Sequence, residues 1–255
     1  MMLDGKVAVI TGAAHPAGIG FAVASTFAAS GAHVVIVDLD QAACEQAAAT
    51  IAAEKPAQGL PRAIGMAADV RDKAALRDVV AMAKARFGRL DIVVNNAGIA
   101  QARKVLEISD EDWEATLDIN LRGMLNMAQA AIPAMEDGGA IICLASIAAQ
   151  RGGGLLGGPH YAASKGGVLA LAKSMARELG PRNIRVNCVN PGIIITQMNA
   201  TAFDEPTQRL FIEGIPLGRF GAPRDVANVC LFLASPLSGY ITGSAIDING
   251  GMHIH

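Results

Sequence analysis

VAVITGAAHPAGIG, residues 7–20, places a strand, a glycine-rich turn and a helix start in one short run. VAVIT is apolar or β-branched throughout, with no polar alternation. That pattern predicts a strand covered on both faces. Short β-branched runs and Ala-rich helical patterns continue to alternate outward from it. Further strands are expected at 33–38, 63–69, 90–96, 140–146, 184–191 and 244–248. Helices are expected over 19–29, 41–54 and 73–87, after the capping-box-like Ser109-x-x-Asp112, through Tyr161 to Leu179, and over 223–233. Residues 193–222 read as a long irregular stretch. Such an order implies an α/β fold: a Rossmann-type, doubly wound parallel sheet of about seven strands with helices on both faces. No repeat, low-complexity tract or linker divides the chain, so residues 1–255 read as a single domain.

Composition narrows the function classes. Hydrophobic residues make up 52% and charged residues 17%, which marks a globular chain with a sizeable core. A net charge of -2 offers no basic field for nucleic acid. No Lys/Arg-rich amphipathic face points to a membrane surface, and no apolar run reaches the ~18 residues needed to span one. MMLDGKVAVITG at the start lacks the pattern of a signal peptide. Cys44, Cys143, Cys188 and Cys230 are scattered, as buried thiols in a reduced compartment are. A cytoplasmic protein is therefore expected. The five histidines form no metal-binding pattern, and no metal is expected.

In sheets of this kind ligands sit at the carboxyl ends of the strands. In TGAAHPAGIG (11–20), Gly12 permits the tight turn. Gly18, Ile19 and Gly20 open the helix, whose N–H groups and dipole suit a pyrophosphate. A glycine-rich loop alone is a weak signal, since ordinary strand–helix turns use the same residues. Asp38, 18 residues beyond Gly20 at the end of the next strand, strengthens it. A carboxylate there accepts from both ribose hydroxyls and repels a 2′-phosphate. No base follows it in DLDQAA, and Ala17 precedes Gly18, so NAD is expected rather than NADP. Asp69 with Val70 would flank adenine, and Asn96, Ala97 and Gly98 of NNAG would line the ribose. Each alone is an ordinary turn former; their occurrence at successive strand ends carries the weight.

GGPHYAASKGG, residues 157–167, sets Tyr161 four residues before Lys165, on one helix face. A phenol beside an ammonium at a strand end is a candidate proton-transfer pair.

Taken together, these residues resemble the classical short-chain dehydrogenases/reductases over essentially the whole chain. The matching motifs are T-G…G-I-G, Asp69, NNAG at 95–98, Asn120 in DINLRG, Ser146 in LASIAA, Tyr161-x-x-x-Lys165, PGIIIT at 191–196, and GRFGAPRDVA leading to ITGSAIDINGG. The resemblance implies Tyr161 as acid and base, with Lys165 and the positive nicotinamide lowering its pKa. It implies Ser146 on the reacting oxygen, and Lys165 on the nicotinamide ribose. Asn120 would anchor a water that links Lys165 to solvent. Pro191, Gly192, Ile194 and Thr196 would hold the nicotinamide side. Two departures stand out. Ala13 to Ala17 puts five residues between the first two glycines where the family usually has three, so His15-Pro16 should bulge beside the pyrophosphate. The serine-to-tyrosine interval is also two residues longer. Counting back from Tyr161 by the usual interval reaches Ala148; aligning on the strand end gives Ser146 and places the surplus in QRGGGLLGGPH.

The substrate is less legible. Residues 193–222 are expected to act as a lid, with Met198, Phe203, Phe211 and Ile212 over an apolar part of the substrate or in a small subdomain core. Gln150, His160, Gln197 and Met198 are expected to line the pocket, and the two glutamines lean towards polyols or sugars. The main expectation is an NAD-dependent dehydrogenase of a small secondary alcohol, polyol or sugar. One alternative is a 3-oxoacyl thioester or 3-oxoacyl-[acyl-carrier-protein] reductase. In its carrier-binding members the turn after the long helix is basic; here PAMEDGGA (133–140) has two acids and no base, leaving Arg182. Another alternative is a nucleotide-sensing module without turnover, though such proteins typically lose the tyrosine or the lysine. The resemblance also implies a homotetramer built on the helices over 113–135 and 161–179 and on the C-terminal segment.

Overall fold

Each parallel strand alternates its side chains between two faces, and both faces here are apolar. In the computed structural model, Val7 and Val9 of the first strand join one core, and Ala8 and Ile10 join the other. The structure describes residues 1–54, 62–153, 157–196 and 204–254. The strands are β1 (Val7–Thr11), β2 (His33–Asp38), β3 (Ala63–Ala67), β4 (Ile92–Asn95), β5 (Ala140–Leu144), β6 (Arg185–Pro191) and β7 (Ala245–Ile248). They form one seven-stranded sheet in the order β3-β2-β1-β4-β5-β6-β7, parallel throughout.

The helices are α1 (Ile19–Ala29), α2 (Gln41–Glu54), α3 (Lys73–Phe87), α4 (Asp110–Leu117), α5 (Gly123–Ala131), α6 (Ala148–Arg151), α7 (Pro159–Leu179), α8 (Glu205–Glu213) and α9 (Pro223–Ala234). One face of the sheet is covered by α3, α5 and α7 through Leu76, Met127 and Val168; α1, α2 and α9 cover the other through Phe27, Ile51 and Leu233. The chain winds outward from β1 to β3, then returns to lay β4 beside β1. That reversal opens a crevice at the carboxyl ends of β1 and β4.

Two features differ from the sequence expectation. The expected irregular stretch at 193–222 contains α8. Asp204 caps this helix by accepting from Thr207 N at 3.0 Å, and Pro206 sits in its first turn. Asp-x-Pro before an apolar periodicity, with Gly214 after it, is the signal that marks it. The long helix after Ser109 is also interrupted. Residues Asp118–Arg122 form a π turn between α4 and α5, and Asn120 lies in it. Most other boundaries fall within two residues of expectation.

Gly65 shows how tightly α2 lies on β3: a β-carbon there would meet the backbone of Cys44 at 2.3 Å. Backbone cannot rotate aside as a side chain can. We expect Gly65→Ala to destabilise the fold by about 1–3 kcal/mol, read as a lower urea midpoint at unchanged slope.

Candidate active site

The crevice is closed at its base by Thr11 and Asn96. Thr11 Oγ1 accepts from the N–H groups of Asn96 and Ala97, both at 3.1 Å. In return Asn96 Nδ2 donates to the carbonyls of Thr11 and Gly12 at 2.9 and 2.8 Å. The glycine loop is thus fastened to the NNAG segment. Gly12 has φ of 65°, and a β-carbon there would lie 2.8 Å from Ala97 Cα. A β-carbon on Gly20 would lie 2.3 Å from the Gly12 carbonyl. Gly18 precedes α1 with no side-chain cap, so the first N–H groups of this helix lack a side-chain partner.

The lengthened loop closes on itself. Gly18 N donates to the His15 carbonyl at 2.8 Å, and Ala17 N to His15 Nδ1 at 3.2 Å. Asp38, at the end of β2, is half-buried and reaches the same loop. Its carboxylate accepts from Ala14 N at 3.1 Å and Leu39 N at 2.9 Å. Asp69 is half-buried, and Arg71 Nε donates to both its oxygens at 2.9 and 3.0 Å. This pairing holds the Asp69 carboxyl below the usual carboxylate range. Val70 is buried against α5: a β-carbon on Gly123 would lie 2.6 Å from Val70 Cγ2. Its carbonyl accepts from Asn126 Nδ2 at 3.0 Å.

Four residues converge beyond the carboxyl end of β5. Ser146 is buried and lies beside the half-buried phenol of Tyr161, whose pKa it lowers. The Ser146 hydroxyl accepts from Ala148 N at 3.1 Å, which fixes its rotamer. Lys165 is 4% exposed; its ammonium donates to the Leu144 carbonyl at 2.6 Å and lies 5.8 Å from the centre of the Tyr161 ring. A β-carbon on Gly98 would lie 3.0 Å from Asn120 Oδ1 and 3.6 Å from Lys165 Nζ, so this glycine leaves the space between them. Asn120 is fully buried and clasps Ile99: Oδ1 accepts from its N–H at 2.8 Å, and Nδ2 donates to its carbonyl at 2.9 Å. Nδ2 also reaches Ser164 Oγ at 3.1 Å, which donates to the Tyr161 carbonyl at 2.7 Å.

The ammonium and a positive nicotinamide together were expected to lower the phenol's pKa, and the chain by itself holds only the ammonium's part of that pair. There the Lys165 ammonium is turned to a strand carbonyl. Burial raises the Tyr161 pKa, and Ser146 offsets this only in part. Burial also lowers Lys165, to about 8.

The 191–196 segment is tied in on both sides. Ile147 N donates to the Pro191 carbonyl at 3.0 Å, and Gly192 N to the Ile248 carbonyl at 2.9 Å. Ile194 is buried and bridges to Gly221; Thr196 follows, half-buried. Two expected pocket residues are placed otherwise. Gln150 Nε2 donates to Asp247 at 3.1 Å, so its amide nitrogen serves the loop's attachment to β7. His160 is fully buried, held against Gln101 at 3.2 Å, and cannot touch a substrate in the crevice. Gln197, Met198 and Phe203 lie outside the described residues. Sequence reasoning gave no role to Thr11, Gln101, Arg71 or the Leu144 carbonyl. Only the T-G pair in the glycine motif marked one of them.

This arrangement, a glycine loop fastened at a topological switch point beside a Ser–Tyr–Lys cluster, has close parallels. A family model described as Enoyl-(Acyl carrier protein) reductase matches residues 12–253. The chain is 48% identical, over the full length of both, to an uncharacterised short-chain type dehydrogenase/reductase of Sinorhizobium fredii. It is 40% identical to 3-oxoacyl-[acyl-carrier-protein] reductase of Thermotoga maritima over all of both chains. It is also 40% identical to D-threitol dehydrogenase of Mycolicibacterium smegmatis, over 99% of this chain and 94% of that one. The crystal structure of a short-chain dehydrogenase/reductase, glucose/ribitol dehydrogenase, from Brucella melitensis superposes with a TM-score of 0.91 at 37% identity, covering 100% of this chain and 99% of that one. The chain belongs to the short-chain dehydrogenase/reductase family. It is accordingly an oxidoreductase that acts on CH–OH or keto groups with NAD(P).

Buried Lys165 has a measurable consequence. With its folded pKa near 8, against an ordinary 10.5, the folded chain binds fewer protons than the unfolded chain between those values. The burial penalty is complete below about pH 8, and this group's contribution to stability rises as pH climbs through the window. We expect the urea midpoint of the wild-type chain to gain on that of Lys165→Met between about pH 7 and about pH 9.5. A constant difference would show that the ammonium is not buried.

Proposed function

We propose that this protein is an NAD-dependent oxidoreductase that interconverts a small secondary alcohol, polyol or sugar and its ketone, with Tyr161 as acid and base. The observation that carries the reading is the Tyr161 ring with the buried Lys165 ammonium 5.8 Å from its centre and the buried Ser146 beside it, at the carboxyl end of β5.

The residues fit a nicotinamide dinucleotide. The uncapped start of α1 with Gly12, Gly18, Ile19 and Gly20 would take the pyrophosphate. Asp38 would accept from the adenosine ribose hydroxyls. Asp69 and Val70 would border the adenine. Asn96, Ala97 and Gly98 would line the ribose, and Pro191, Gly192, Ile194 and Thr196 the nicotinamide side. Tyr161 and Lys165 would face the nicotinamide ribose. The dinucleotide, when bound, supplies the hydride acceptor or donor.

The chain's own residues handle the proton and the oxygen. Tyr161 keeps its proton at neutral pH, because burial disfavours the phenolate. A phenol so held gives its proton to a carbonyl oxygen during reduction. In the oxidative direction it must lose that proton before it can take the alcohol's. Ser146, oriented by Ala148 N, hydrogen-bonds the reacting oxygen and stabilises charge that develops there. Lys165 spends one of its three N–H donors on the Leu144 carbonyl and has two for a ribose, and the low pKa of its ammonium eases proton exchange with the phenol. Asn120 holds the π turn that places α7 and would anchor the water leading from Lys165 to solvent.

Asp38 supports NAD: a 2′-phosphate would meet a half-buried carboxylate whose two oxygens are already directed by Ala14 and Leu39. The 3-oxoacyl thioester reading draws support from the relative in Thermotoga maritima, which is as similar as the threitol dehydrogenase. The surface argues against a carrier-bound substrate. Arg182 donates to Asp137 at 2.8 Å and to the carbonyls of Ile132 and Met135 at 2.8 and 2.6 Å, so its guanidinium is engaged within the chain. A cytoplasmic homotetramer is the assembly consistent with this reading; among the described residues no helix is long and apolar enough to cross a membrane.

The decisive test is a panel of polyols, sugars, hydroxy acids, secondary alcohols and 3-hydroxyacyl thioesters with NAD or NADP, followed by reduced-nicotinamide absorbance. We expect NAD-linked turnover of a polyol or small alcohol, lowered about 10²–10⁴-fold in Tyr161→Phe. NADP-linked turnover confined to thioesters would overturn both the cofactor and the substrate. Asp38→Ser should raise kcat/KM for NADP relative to NAD by about tenfold or more, by removing a like charge within ~4 Å of the phosphate.

A further inference from the structure

Tyr161 stands in the first turn of α7, where a helix is least secure. Gly158 before it provides no side-chain cap, and Pro159 has no N–H. One side of this turn is held by Gln101, on the loop that follows NNAG. Gly158 N donates to the Gln101 backbone carbonyl at 2.9 Å. His160 Nε2 lies 3.2 Å from Gln101 Oε1. Thr116 Oγ1, fully buried on α4, donates to the same oxygen at 3.4 Å. An amide oxygen has no proton to give, so Nε2 is the donor. Nδ1 has no partner among the described residues and packs on backbone: a β-carbon on Gly158 would lie 2.9 Å from it.

The imidazole is therefore sealed away from the crevice, with one nitrogen engaged and the other against glycine. That arrangement suits a brace and excludes direct acid–base work. The far side of the same turn is braced from the same segment, since Ile99 holds Asn120, Asn120 holds Ser164, and Ser164 holds the Tyr161 carbonyl. Two residues, Ile99 and Gln101, thus grip the tyrosine's turn at both ends.

We propose that Gln101 and His160 are positioning residues that keep the Tyr161 phenol beside Ser146. The consequence for turnover rests on the reading of Tyr161 as acid and base; the geometric part does not.

The chain has two tyrosines, and Tyr240 is fully exposed. Labelling the tyrosine ring carbon that bears oxygen gives two NMR signals, and Tyr240→Phe assigns them. Ser146→Ala supplies the shift of a phenol that has lost its serine partner. We expect the Tyr161 signal in His160→Leu and Gln101→Met to move towards the Ser146→Ala position. His160→Gln, whose amide N–H takes the place of Nε2–H, should stay near wild type. His160→Asn, which mimics Nδ1 instead, should not. With a substrate from the panel, kcat should fall about 10–100-fold in His160→Leu, while the NADH dissociation constant, read by fluorescence, changes less than about twofold. Should His160→Leu fail to fold, Gln101→Met decides. Wild-type signals in the folded variants, or equal effects of His160→Gln and His160→Asn, would overturn the proposal. An active Tyr161→Phe would sink the acid–base reading alone, with the NMR result still deciding the positioning.

Discussion

Four hydrogen bonds, three to Thr11 and one to the Gly12 carbonyl, tie the Asn96–Ala97 pair to the end of β1 where the sheet reverses its winding. Each partner lends both backbone and side chain. A parallel sheet has no ladder bonds left at this point, because the two strands diverge into separate loops. Without the clamp, the glycine loop and the NNAG loop would be independent surface turns. With it, Gly12 must take a positive φ, Gly20 must lack a side chain, and the start of α1 is aimed into the crevice. Ile99 and Gln101 follow directly from the clamped segment. The bracing of α7 is thus a continuation of the same constraint.

The reactive groups are placed at an electrostatic cost that the fold offsets locally. A buried ammonium and a buried phenol both lose water. Lys165 recovers one strong hydrogen bond from the Leu144 carbonyl, and Tyr161 has Ser146 beside it. Burial moves the two pKa values apart, the lysine down to about 8 and the tyrosine up from its ordinary value. Both neutral forms are favoured, which suits a pair that must pass a proton without stranding a charge. Nearness in sequence alone does not convey this. Spacing of four put the residues on one helix face, but the ammonium's partner is a carbonyl 21 residues earlier.

Much of the fold was legible because each strand is short, apolar on both faces and followed by a helical pattern. The sheet buries both sides, so periodicity could not mislead. The glycine loop, Asp38, Asn120, Ser146, Tyr161 and Lys165 were legible as motifs. What was not legible depends on contacts between distant segments. The π turn at Asn120 arises because its amide is drawn to Ile99, a pairing that helical periodicity does not encode. His160 and Gln150 looked like pocket residues because they neighbour Tyr161 and Ser146 in sequence. One is buried on Gln101, and the other is drawn to Asp247. The α8 helix was hidden by the expectation of a lid, although Asp204, Pro206 and Gly214 mark its ends.

The surface turn at 133–140 bears on substrate size. Its two acids each meet a base: Glu136 pairs with Lys84 at 3.0 Å, and Asp137 with Arg182 at 2.8 Å. An exposed pair such as the first is worth little and opens easily. Arg182 is different, because it also caps the Ile132 and Met135 carbonyls at the end of the long helix. Releasing it to meet an acidic carrier would leave two carbonyls and a carboxylate without their partner. A docking surface built this way would be weakened by the act of docking. A free small molecule needs no such surface. The tie from Gln150 to Asp247 anchors the segment after Ser146 to β7.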